Sequence, residues 1–118
     1  MTAQKVLDTA MALTGDLGTV DTDTETRAPL LIDSIQREIA KREGVETVEI
    51  TSLEDELSVS DNSALKIMPY KLAAVFALTD RQTEMAGYFN AQYEKLLKEI
   101  PSLSTTITDN YDFLAGMQ

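Results

Sequence analysis

The chain has 118 residues, a formal net charge of −10, and neither cysteine nor histidine. A chain of this length predicts one domain that can bury a core without disulfide bonds. The missing thiol and imidazole groups remove nucleophilic cysteines, catalytic histidines and the usual zinc ligands. We therefore expect no cofactor, no bound metal and no enzymatic activity. Ten scattered basic residues against 20 acidic ones disfavour tight binding to nucleic acid or to an anionic membrane.

Hydropathy gives no sign of a membrane segment. The longest apolar run, Leu72 to Leu78, is far shorter than a membrane span. The first residues lack the apolar core of a signal peptide, so we expect the protein to stay in the cytoplasm in which it is made.

Apolar residues recur at helical spacing and predict a mainly α fold, a small bundle of about four helices. The predicted helices cover about 2–14, 24–43, 69–78 and 79–100, with a short helical piece at 61–68. The stretch from Pro69 to Leu78 is apolar on most sides, which predicts a buried central helix that includes Phe76. Thr79 and Gln82 predict a capping box at the start of the last helix.

The aromatic residues of the second half of the chain also follow helical spacing. Because no lysine or arginine is interleaved with them, we interpret them as core residues and not as a platform for stacking bases. They are Tyr70, Phe76, Tyr88, Phe89 and Tyr93.

Residues 45–60 break the helical pattern. The stretch from Val45 to Ile50 is rich in β-branched residues, with Val45, Thr47 and Glu49 alternating with Glu46, Val48 and Ile50 on the two faces of a possible strand, and Leu57 and Val59 are candidates for a pairing strand. This pattern predicts either a short β-hairpin or an extended excursion. No basic residue lies between Arg42 and Lys66, so the segment is expected to carry a concentrated negative charge.

Two acidic stretches resemble a calcium-binding loop and a catalytic carboxylate pair, but neither has the full set of features that such a site requires. Asp21 to Glu25 opens like a calcium loop, but the positions that require Gly and Glu hold Thr26 and Ile32. Glu54, Asp55 and Glu56 are consecutive, so their carboxylates do not converge as an acid–base pair would. We interpret the first stretch as a solvated loop and the second as a charged turn.

Residues 101–118 follow the last predicted helix and contain no basic residue. We interpret them as an extended C-terminal arm beside a bundle domain of residues 1–100, polar enough to stay flexible in a free subunit. Tyr111, Phe113 and Leu114 form an apolar cluster near its end. They either fold back on the bundle or dock on another subunit, since aromatic residues often dominate interface energies.

Two stretches resemble a known family. Residues 65–74, Leu-Lys-Ile-Met-Pro-Tyr-Lys-Leu-Ala-Ala, and residues 86–94, Ala-Gly-Tyr-Phe-Asn-Ala-Gln-Tyr-Glu, resemble two consecutive helices of head–tail connector proteins of tailed bacteriophages. Residues 50–57 resemble the segment before those helices. Glu54 stands where that family often has Thr, and Met68 replaces the usual Leu before the proline, a volume-conserving change. The resemblance covers about residues 24–100, and its motifs are packing motifs.

This resemblance implies a helical subunit of a ring, commonly of twelve copies, that lies beneath the portal protein in the virion. Such a ring extends the DNA channel and receives the next neck, stopper or tail protein. If the chain forms one, we expect Tyr111, Phe113 and Leu114 to dock on the portal or on a neighbouring subunit. We also expect an acidic set to line or approach the DNA path, where it would repel phosphate. That set is Glu46, Glu49, Glu54, Asp55, Glu56 and Asp61.

An alternative of a different class stays open. A soluble helical adaptor or regulatory module of a bacterial cell would bind a protein partner in a groove. It would be a monomer or a dimer, whereas a connector closes into a ring.

Overall fold

The computed structural model describes residues 1–15 and 22–100. These residues form five helices, of which the third has only six residues. They are α1 (Ala3–Thr14), α2 (Thr22–Glu43), α3 (Asp61–Lys66), α4 (Met68–Thr79) and α5 (Thr83–Lys98). The mainly helical fold is thus confirmed, and α3 is the short helical piece that precedes Pro69.

Between α2 and α3 the chain has no regular element. A single isolated antiparallel bridge in the described residues joins this segment to the start of α1, between Glu56 and Thr2. Of the two predictions for residues 45–60, the extended excursion is therefore correct and the β-hairpin is wrong.

The turn between α4 and α5 differs from the prediction. Helix α4 continues to Thr79, whose hydroxyl donates to the carbonyl of Val75 at 3.0 Å. Arg81 follows with φ 63°, a left-handed conformation that interrupts the helix. Gln82 makes no capping bond with its side chain. The predicted capping box is wrong because the turn itself separates the two helices, so that α5 begins only at Thr83.

Helix α3 begins with a side-chain cap. The Ser60 hydroxyl accepts a hydrogen bond from the backbone N–H of Ser63 at 3.2 Å, which satisfies one of the free donors of a helix start. The sequence also offers Asp61 and Asn62 as capping residues for this short helix, but the cap is Ser60. Pro69 lies in the first turn of α4, where its missing N–H costs little.

Helix α4 lies at the centre of the fold and packs against each of the other four helices. Leu72 and Ala73 are fully buried there, together with Leu7 from α1, Ile32 from α2 and Tyr93 from α5. The alanines of α4 allow neighbouring helices to approach closely. The predicted central position of this helix is confirmed.

Two expectations about apolar residues need correction. Helix α4 is not buried on all sides, since Leu78 is 61% exposed and Phe76 is only partly buried. Among the aromatics, Phe89 and Tyr93 lie in the core, but Tyr88 is 58% exposed. Helical spacing alone did not separate Tyr88 from its buried neighbour, because both residues are aromatic and adjacent in sequence.

We predict that Leu72→Ala lowers the free energy of unfolding by about 2–5 kcal/mol, since it removes a fully buried side chain at the centre of the core. Leu78→Ala, on the same helix but largely exposed, should change it by less than about 0.5 kcal/mol. Chemical denaturation of both variants measures the difference, and equal losses would show that α4 is not the central helix.

Candidate interaction surface

Residues 45–61 are held in place by a row of polar side chains on one face of α2. Gln36 is fully buried, and both ends of its amide are used. Its nitrogen donates to the carbonyl of Val48 at 2.8 Å, and its oxygen accepts from the N–H of Ser58 at 3.0 Å. The side chain thus joins the two limbs of the segment, as a backbone partner would in a hairpin.

Asp33 extends the row at the other end. Its carboxylate accepts from the N–H of Ile50 at 3.0 Å and from Nε of Arg37 at 2.8 Å. Burial opposes ionisation of this carboxyl group, but the hydrogen bonds from Ile50, Arg37 and Gln36 outweigh it and lower the pKa of Asp33. Asp33 is therefore an ionised anchor of the segment.

Glu43, at the end of α2, holds the point where the segment becomes α3. Its carboxylate accepts from the N–H of Ser60 at 3.0 Å, from the Ser60 hydroxyl at 2.8 Å and from the Ser63 hydroxyl. Burial works against ionisation here too, but these hydrogen bonds prevail and lower the pKa of Glu43. We refer to Asp33, Gln36 and Glu43 together as the α2 polar row.

The opposite side of the segment caps α1. The N–H groups of Ala3 and Gln4 donate to the carbonyls of Asp55 and Leu53 at 3.0 and 2.8 Å. These are among the first N–H groups of a helix, which have no partner within the helix. The segment is therefore packed between the start of α1 and the face of α2.

The six acidic residues of the predicted channel-facing set have different environments. The Asp55 carboxylate accepts from the N–H groups of Thr51 and Ser52 at 2.8 and 3.0 Å, and these bonds lower its pKa. Asp55 therefore stabilises its own turn. Glu54 accepts from the Ser52 hydroxyl at 2.8 Å.

Two more members of the set lie near the chain terminus. The ammonium group of Met1 is 2.9 Å from Glu56 and 3.5 Å from Asp61. Glu46 and Glu49 are exposed and make no hydrogen bond or ion pair within the part of the chain that the structure describes. Only these two acids are thus free of any internal role. Among the described residues, no group of acids is arranged to hold a metal ion.

Seven large apolar residues are exposed among those that the structure describes, and apolar spacing in the sequence did not indicate their exposure. They are Leu30, Val45, Val48, Leu65, Leu78, Met85 and Tyr88. Val48 and Leu30 are the most exposed, at 72% and 73%. Such residues are ordinary when scattered and informative when they adjoin other unpartnered groups.

Two of the grooves on the described surface are large enough to note. The larger, of about 420 Å³, lies between α3 and the end of α5, with Ile67, Leu96 and Ile100 on its apolar side and Lys66 and Glu99 at its rim. The smaller, of about 270 Å³, is lined by Met11, Phe76, Met85 and residues of the turn before α5.

The two stretches that resemble connector proteins form one packed unit. The first covers the last two residues of α3 and the first seven of α4, and the second lies within α5. The rings of Tyr70 and Phe89 are 6.2 Å apart, and the Lys71 ammonium group donates to Asn90 at 2.9 Å. Residues of the two stretches therefore contact one another directly.

Tyr93, from the second of these stretches, connects the unit to α2. Its hydroxyl donates to the Glu38 carboxylate, while the Lys71 ammonium group lies 5.4 Å from the centre of its ring. Burial and the neighbouring Glu38 raise the pKa of Tyr93, so its hydroxyl stays protonated as a donor. This contact is structural.

The docking residues predicted in the C-terminal arm, Tyr111, Phe113 and Leu114, lie outside the described residues, as does the whole of the proposed arm, residues 101–118. So does Asp21, the first residue of the calcium-like stretch. Comparisons with known proteins found no matching family model, no similar curated protein and no similar solved structure. Across the described ranges, none of the helices combines the length and apolar character of a membrane span.

We predict that Gln36→Leu destabilises the fold by about 1–3 kcal/mol, because it leaves polar backbone groups of the segment without their partner. Hydrogen exchange at the Ser58 amide should accelerate at the same time. Gln4→Leu is the matched control, since Gln4 only pairs with exposed Asp8 on the same helix. A Gln36 variant as stable as the control, with a protected Ser58 amide, would contradict the anchoring role.

Proposed function

We propose that the chain is a structural subunit of a bacteriophage head–tail connector, which assembles as a ring beneath the portal protein. The observation that carries the proposal is the packing of the two connector-like stretches. In the structure they form one unit, with Tyr70 against Phe89 and Lys71 bonded to Asn90. Because the side chains of the two stretches pack against each other, a change in one stretch affects the other. This contact is a reason for both stretches to occur together in one family.

The surface agrees with a protein that works by assembly. Exposed apolar side chains lie on α2, α3, α4, α5 and the segment before α3, and a ring subunit needs such contacts on two sides to meet both neighbours. In this proposal the ring is made of copies of the chain, its partners are the portal and the next neck or tail protein, and its location is the virion. DNA passes through without specific binding.

The groove between α3 and α5 favours a second candidate, a cellular adaptor that binds a partner segment. Its apolar side and charged rim have the general character of a site for a short protein segment. The two candidates differ in stoichiometry, because an adaptor stays a monomer or dimer. They also differ in gene neighbourhood, since a connector gene is expected beside portal and capsid genes.

We predict a closed ring when the full-length protein is mixed with the portal protein encoded by the same genome, as seen by electron microscopy and native mass spectrometry. Deleting residues 103–118 should abolish ring formation or portal docking. It should hardly change the melting temperature, because the core described above lies within residues 1–100.

The substitution Tyr111→Ala, Phe113→Ala and Leu114→Ala is a milder version of the same test. Normal assembly of this variant would remove these residues as docking anchors while leaving the ring in place. A full-length protein that stays monomeric and never binds the portal would refute the connector role itself.

The channel role of the acidic set has a separate test. If this segment lies along the DNA path, replacing Glu46, Glu49 and Glu54 by Lys should create DNA binding that weakens steeply with salt. Glu46 and Glu49 make no polar contact in the described chain and exposed Glu54 bonds only to the Ser52 hydroxyl, whereas the other members of the set bond to backbone N–H groups of the turn or to the chain terminus. Gel shifts that stay negative at low salt, with an intact ring, would place the segment outside the channel.

A further inference from the structure

Between Val45 and Thr51, whose own N–H groups donate to the carbonyl of Ala40 and to the Asp55 carboxylate, the chain has one bonded edge and one open edge. The N–H of Val48 donates to the Ser58 hydroxyl at 3.0 Å, its carbonyl accepts from Gln36, and the N–H of Ile50 donates to Asp33. Thr47 and Glu49 alternate with these two residues. No hydrogen bond within the described chain reaches the backbone groups of Thr47 or Glu49.

This alternation is typical of extended backbone. Consecutive residues of a strand direct their N–H and C=O groups to opposite edges, so a chain bonded through every second residue presents the others on its far side. An unpaired edge of this kind is a template for a strand from another chain. The α2 polar row holds the segment in this geometry before any partner arrives.

The side chains beside the open edge restrict what can pair with it. Val48 is 72% exposed and Val45 is 42% exposed, while Glu46 and Glu49 are exposed and unpaired within the described residues. An incoming strand gains apolar contact from small or β-branched residues and charge pairing from Lys or Arg placed opposite the acids.

The chain itself is a poor occupant. Two copies of residues 45–51 would bring glutamates against glutamates, and cross-strand pairs of like charge are destabilising. Residues 101–118 contain two aspartates and no basic residue, so they bring no charge complementarity either. The complementary partner is a basic segment of a different protein.

We propose that the open edge of residues 45–51 binds a basic, extended segment of another protein by adding it as a β-strand. Backbone groups of Thr47 and Glu49 pair with the incoming strand, and the carboxylates of Glu46 and Glu49 contact its Lys or Arg side chains. This inference does not depend on the connector role. For Glu46 and Glu49, binding a basic strand is an alternative to the proposed position along the DNA path.

The test uses the full-length protein and a capped synthetic Lys–Val peptide, Val-Lys-Val-Val-Lys-Val, whose two Lys side chains lie on opposite faces of a strand as those of Glu46 and Glu49 do. We expect the peptide to bind and to slow the exchange of the Thr47 and Glu49 amides, as measured by NMR. A Glu–Val peptide should not bind. A Lys–Val peptide with alternate backbone nitrogens methylated should lose binding, since it keeps the charge but cannot form the ladder.

Variants then test the carboxylates. Glu46→Gln with Glu49→Gln should weaken binding of the Lys–Val peptide about three- to tenfold, as expected for two cross-strand charge pairs. The matched control, Glu94→Gln with Glu99→Gln on exposed positions near the end of α5, should leave it unchanged. The backbone of residues 45–51 is untouched in both variants.

Four results would overturn the proposal. The methylated peptide binding as well as its parent would reduce the interaction to charge alone. Protection of amides outside residues 45–51, or no binding of the Lys–Val peptide, would remove the strand site. A double-stranded oligonucleotide that protects the same amides would show that the surface recognises nucleic acid instead of a protein segment.

Discussion

The structure depends on the requirement that the buried amide of Gln36 be fully bonded. A buried polar group without partners costs about 1–3 kcal/mol, so α2 can bury this residue only if another part of the chain supplies a donor and an acceptor. The irregular segment after α2 supplies both, through Ser58 and Val48. Helix and segment are therefore specified together, and neither conformation would be stable on that face without the other.

The same segment determines where α1 lies. Its carbonyls at Leu53 and Asp55 accept the first N–H groups of α1, and α1 then packs on α4. The α2 polar row bonds to one side of the segment, and the start of α1 bonds to the other. The segment has no regular secondary structure, but it therefore helps to fix the position of α1 relative to α2. A substitution in the polar row is thus expected to act on α1 as well, although α1 is distant in sequence.

Periodicity predicted the helices because apolar spacing is a local signal. The errors arose where groups distant in sequence determine the conformation of the chain. The hairpin prediction assumed that Val45–Ile50 would pair with Leu57 and Val59, but side chains of α2 take the place of that pairing. The capping box prediction failed because Arg81 adopts a left-handed conformation, which apolar spacing does not indicate, and α5 begins only after it. Of the acidic set, the sequence placed the charge correctly but did not distinguish Asp55, which bonds to its own turn, from Glu46 and Glu49, which are free.

The open edge beside Glu46 and Glu49 also gives a reason why the sequence contains so few motifs for catalysis or metal binding. Catalytic and metal sites are visible in sequence because they need particular side chains at particular spacings. An open strand edge presents backbone groups, which every residue has, and its only marks are exposed valines and unpaired glutamates nearby. Such an edge can bind a partner only while the protein leaves its backbone N–H and C=O groups unpaired. Here the α2 polar row and Ser58 bond to Val48 and Ile50 and leave the backbone groups of Thr47 and Glu49 without a partner in the described chain, so the anchor that stabilises the fold also creates the proposed binding surface.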